Sequence, residues 1–133
     1  MRIFLIVVFT TISFSGHSQA ATNNKSLWTL TYLKAKEGQK ADLKAFIQKN
    51  WFAMDKQALE QGLLKQYHLL ENSDATKEWD FVVMVQYRDE TGYEGVKVEF
   101  EKIRQAHQHV LVNGKGIADV GRVVKAEEFL EVL

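Results

Sequence analysis

The chain contains no cysteine and no proline. Without thiols there is no disulfide, no thiolate nucleophile and no lipoprotein attachment site, so stability must come from packing alone. Without proline, regular elements joined by short connections are expected. Charge of one sign is also lacking, because 17 basic side chains meet 17 acidic ones. That balance gives no electrostatic footprint for nucleic acid or an anionic membrane. Nor does any apolar run reach the roughly twenty residues that span a bilayer. The longest, Ile3 to Phe14, follows Arg2 and precedes Ser18-Gln19-Ala20. A cation, a short apolar stretch and small residues at the two positions a signal peptidase reads predict a signal peptide over 1–20. The mature chain is then expected to start at Ala21 and to be exported, periplasmic or secreted, and not held by the membrane after cleavage. Beyond it only Ser26 and Ser73 remain as serines, both in expected loops, and no HExxH metal box occurs.

Residues 21–133 have the length of one domain. Residues 27–36, "LWTLTYLKAK", are rich in β-branched and aromatic residues and predict a first strand. From about Lys40 to Gln61, Leu43, Phe46, Ile47, Trp51, Met54 and Ala58 recur at helical spacing, with Gly62 placed as a left-handed cap. Residues 63–71 predict a second strand and 79–89 a third. Thr91-Gly92-Tyr93-Glu94 has the form of a capping box that opens a second helix, running to about Val110. "NGKGIADVG" reads as a flexible loop, and "RVVKAEEFLEVL" as a fourth strand.

The order β-α-β-β-α-β predicts an α+β, ferredoxin-like unit: a four-stranded antiparallel sheet with two helices on one face. Strand three is apolar on both faces through Phe81, Val82, Val83, Met84 and Val85. Two helices cover one face only, so a second copy of the chain is expected on the other, forming a homodimer with a chamber between the sheets.

Candidate site residues follow from that picture. On the second helix, Tyr93, Val96, Phe100, Ile103, His107 and Val110 share one side, and His107 is the one polar residue in the row. It reads either as a core histidine with a hydrogen-bond partner or as an acid–base group. If Trp28, Leu30 and Tyr32 pack under the helices, Thr29 and Thr31 line the chamber beside Tyr87, with Val83 and Val85 as apolar wall. His68 is a further candidate on the second strand. Such a lining suits a small apolar or aromatic molecule oriented by few hydrogen bonds. Glu127, Glu128 and Glu131 read as a solvated strand edge.

The element order resembles the dimeric α+β barrel superfamily, which includes antibiotic-biosynthesis-type and haem-degrading monooxygenases. The local run Ala106-His107-Gln108-His109-Val110 is similar to the helix end that supplies the haem-iron ligand in the haem-degrading members. That resemblance implies His107 as a ligand to haem iron. It also places Thr31 and Tyr87 where those enzymes carry an asparagine and a tryptophan, which argues against ring-opening of haem. The expectation is a small-molecule-binding homodimer with cofactor-light monooxygenase-like chemistry, His107 and Tyr87 being its catalytic pair. A non-catalytic structural or carrier dimer, or a haem-binding protein, are the alternatives.

Overall fold

The computed structural model describes residues 25–132, so the expected signal peptide over 1–20 lies outside the described residues. Among them no helix is long and apolar enough to cross a membrane. Strand β1 (Leu27–Ala35) leads into helix α1 (Lys40–Phe46), a π-helical turn (Ile47–Trp51) and helix α2 (Phe52–Glu60). Strands β2 (Leu64–Glu71) and β3 (Phe81–Tyr87) follow. A short 3₁₀ turn (Gly92–Gly95) then precedes α3 (Lys97–Ala106), α4 (Ile117–Val120) and β4 (Gly121–Leu130). The strands form one antiparallel sheet in the order β2-β3-β1-β4, with the helices packed on one side, which is the ferredoxin-like arrangement.

The period-2 alternation of strands sorts their side chains between two environments. Leu33 of β1 and Phe81 of β3 are cross-strand partners, both fully buried, and pack with Leu43, Phe46 and Ile47. That contact fixes the odd-numbered residues of both strands beneath the helices. Thr29 and Thr31 therefore face the helices, and Trp28, Leu30 and Tyr32 the open side, the reverse of the expected orientation. A second buried cluster joins Ala58 and Leu64 to Tyr87, Val96, Phe100 and Ile103.

Helix ends account for the other differences. After α2, Gly62 is left-handed (φ +73°), and the Leu63 amide donates to the Ala58 carbonyl at 2.9 Å while the Gly62 amide donates to Leu59 at 3.0 Å. These are the paired bonds of a Schellman cap, as the glycine predicts. Thr91 does not cap a helix: its amide and hydroxyl both bond to Asp89 in an Asx turn. Helix α3 stops at Ala106, one turn before Val110, because His107 is already extended (φ −70°, ψ 125°). The cause is Asn50 in the π-helical turn. Its amide donates to the Val110 carbonyl and accepts from the Val110 N–H, both at 2.8 Å, and offers this segment the bonds a further helical turn would have made. The expected flexible loop is also ordered. Asn113 (φ 51°) and Gly114 (φ 75°) form the two-residue turn of a small hairpin closed by paired bonds between Val112 and Lys115.

Candidate functional site

A cavity of about 510 Å³ lies between the sheet and the helices of a single chain, within the size range of small-molecule sites. Its floor is the helix-facing side of the sheet: Thr29 and Thr31 of β1, Val83, Val85 and Tyr87 of β3, and Glu128 of β4. Glu128 is the cross-strand neighbour of Thr29, so alternation turns it to the helix side, where it borders the cavity while staying exposed on the edge strand, as expected of a solvated edge. Threonines stand where larger side chains would fill the space, and the same row closes over solid core at Leu33. The roof comes from Trp51, Met54 and Asp55 on one helical rod and Phe100 and Arg104 on the other.

The π-helical turn positions this roof. The Phe52 amide reaches back five residues to the Ile47 carbonyl, the bond that defines such a turn. At about 100° per residue a regular helix would set Asp55 roughly 120° from Leu43, at the margin of the buried stripe. One extra residue in the turn rotates the following rod back by about one residue's angle, which brings Asp55 inward. Asp55 is 6% exposed. Burial, with no cation or donor to hold its charge among the described residues, pushes its carboxyl up to about 7. Tyr87 is pushed up to about 12, first by burial and then by the Asp55 charge, with the Thr29 hydroxyl opposing. The cavity thus pairs a carboxyl that changes protonation near neutrality with a phenol that stays protonated and can donate.

At the rim, the Arg104 guanidinium bonds to Glu101 at 2.6 Å and stacks over the Phe100 ring, 5.6 Å from its centroid. The Tyr93 hydroxyl donates to the same Glu101 carboxylate. Burial first, and then this bond, raise the Tyr93 phenol above its ordinary value.

Thr29, Thr31, Val83, Val85 and Tyr87 are brought together, beneath the chain's own helices rather than between two sheets. His68 is exposed on the open side of the sheet, where Nε2 meets Gln66 Oε1 at 2.9 Å, so it takes no part in the cavity. His107 does not meet Tyr87. It borders a second cavity of about 330 Å³, and its Nε2 is 3.0 Å from Asn50 Oδ1. A haem does not fit this arrangement. Thr31 and Tyr87, which should share the haem chamber with His107, line the other cavity, and His107 Nε2 is bonded to Asn50. Among the described residues no group of three or more His, Asp or Glu side chains could hold a metal ion.

The residues that sequence reasoning missed are Asp55, Glu128 and Arg104. Arg104 follows Phe100 by one helical turn and was within reach of the same periodicity. Asp55 and Glu128 carried no comparable signal.

No family model matches the chain, and no curated protein matches it in sequence. Solved structures resemble it in shape. The structure of HapK from Hahella chejuensis superposes with a TM-score of 0.53 at 11% identity, covering 80% of this chain and 92% of its own. A protein of unknown function from Bacteroides thetaiotaomicron, described as a possible oxidoreductase, does so at 0.51 and 13% identity, covering 81% and 99%. At such identities the likeness is one of fold.

Proposed function

We propose that the chain is an exported homodimer that binds a small, largely apolar, ring-bearing molecule between its sheet and helices and carries out a proton-transfer step on it. The observation that carries this reading is the inner cavity itself. Apolar and aromatic walls supply the binding surface, and the Asp55 carboxyl, buried in the same cavity as Tyr87 and near enough to raise its phenol, supplies the chemistry. As the carboxylate, Asp55 takes an acidic proton from a phenolic O–H, or from a C–H activated by adjacent rings. Tyr87 donates a hydrogen bond to the oxygen on which the negative charge gathers. With dioxygen as the oxidant, such an anion formed at a ring carbon can give up both of that carbon's hydrogens, one oxygen atom becoming a new ring carbonyl and the other leaving as water, so cofactor-light oxygenation, as in a monooxygenase, is the turnover this site suits. In this reading Asp55 takes the role that the sequence suggested for His107.

The test uses the mature chain with air-saturated naphthols and anthrones. Ligand binding is followed by quenching of tryptophan fluorescence, and turnover by oxygen uptake. The expected result is quenching by both wild type and Asp55→Asn, with uptake at least about a hundredfold slower in the variant, since a positioned base contributes that much. Binding without uptake in either protein would make the chain a carrier. Absence of binding would remove the reading altogether.

A further inference from the structure

Resting on that reading, a second feature specifies what kind of molecule the site takes. The two cavities adjoin: Trp51, Met54 and Arg104 line both. Their ionisable linings are of opposite character. The carboxyl groups, Asp55 and Glu128, belong to the larger cavity, whereas His107 and His109 belong to the smaller, and Arg104 stands at the boundary. No acidic side chain is among the described residues that line the smaller cavity. Neighbouring groups hold its polar side chains in place. The His107 ring is fixed through its Nε2–H, which donates to Asn50 Oδ1, so this ring walls the cavity and offers an anion no further N–H. The His109 ring lies against Phe46, with centroids 5.3 Å apart. Arg104 is steadied by Glu101 and the Phe100 face, and its planar fork keeps further N–H groups available.

We propose that the ligand is an aromatic anion. Its ring body occupies the larger cavity, and its carboxylate or sulfonate extends past Trp51 and Met54 into the smaller one, against the Arg104 guanidinium. The division of labour follows from solvation. A ring gains by leaving water for the apolar chamber, while an anion tolerates partial burial only where cationic donors replace its water. The same arrangement points the molecule's uncharged end toward Asp55, where a second negative charge would be repelled. Arg104 is then the residue that sets specificity, and Trp51 with Met54 the waist that sets the distance between ring and anionic group.

Two fluorescent probes with the same ring body separate the idea from its premise: 8-anilinonaphthalene-1-sulfonate and its uncharged parent N-phenyl-1-naphthylamine. The mature chain should bind the sulfonate at least about tenfold more tightly, a difference of roughly 1.4 kcal/mol. Arg104→Met should remove the preference for the sulfonate over the neutral probe measured on the same variant, with circular dichroism reporting that the variant is folded. Arg104→Lys should keep part of the preference, and Val83→Trp, which fills the larger cavity, should abolish binding of both probes. Equal affinities in wild type, or a preference that survives Arg104→Met, would overturn the anion assignment and leave the cavity reading standing. Failure of both probes to bind, or binding that persists in Val83→Trp, would overturn the two together.

Discussion

Two side chains on one helical rod, Asn50 and Asp55, are both buried and polar, and they answer burial in opposite ways. Asn50 spends its whole capacity: donors to the Phe46 and Val110 carbonyls, acceptor to the Val110 amide and the His107 ring. Asn50→Ala would strand those partners, so a loss on the order of 3 kcal/mol is expected in urea unfolding. Asp55 has no such partners among the described residues, and its carboxyl instead rises from 3.8 to about 7. The folded chain therefore holds a proton that the unfolded chain has released between these values. Stability is highest at the acid end of that window and falls as pH rises through it. The charged form costs the fold on the order of 4 kcal/mol. Asp55→Asn should remove this dependence. Unfolding curves at pH 5 and pH 8 are expected to separate for wild type, with pH 5 the more stable, and to nearly coincide for the variant. An unchanged separation would place the titration elsewhere.

At the scale of elements, left-handed glycines do different jobs and should not be equally replaceable. Gly62 closes α2 with open space around it, so Gly62→Ala pays only for the backbone, about 1 kcal/mol in unfolding measurements. Gly92, also left-handed, lies against Leu27, and a new Cβ there meets that side chain, so Gly92→Ala should cost about 2 to 3 kcal/mol. Features of this local kind are what the sequence discloses. Gly62 signalled its cap, and the strands and their order followed from composition and alternation. What escaped depends on pairings distant in the chain. Thr29 and Thr31 were legible as one face of β1, but only the contact of Leu33 with Phe81, Leu43 and Phe46 decides which way that face looks. The last turn of the second helix was lost to Asn50, some sixty residues earlier. Asp55 sat at the edge of a stripe drawn at 100° per residue, and the π-helical turn that moves it inward leaves no spacing pattern to find.

For the whole molecule, the side of the sheet away from the helices poses the remaining physical problem. Trp28, Leu30, Tyr32 and Met84 are half-buried at its centre, while Leu70 of β2 and Phe129 of β4 stand 50% and 49% exposed toward its edges. On the two edge strands around them are polar contacts: His68 with Gln66 at 2.9 Å on β2, and Lys125 with Glu127 at 2.9 Å on β4. An apolar centre with a polar rim is the anatomy of a protein interface, and in a chain of near-zero net charge a second copy meets no repulsion there. Because the cavities lie on the other side of the sheet, under the helices, association and ligand binding should be separable. Met84→Lys places a charge beside Leu30 and His68, its cross-strand neighbours, at the middle of the open face. Wild type is expected to show twice the single-chain mass by light scattering at micromolar concentration, and the variant the single-chain mass. The variant's affinity for the naphthalene probes should stay within about twofold, since none of the residues lining either cavity has moved. A wild type that already scatters as one chain would leave the open face without a partner copy. A variant that becomes monomeric and also loses the probes would mean that the neighbouring copy holds part of the site.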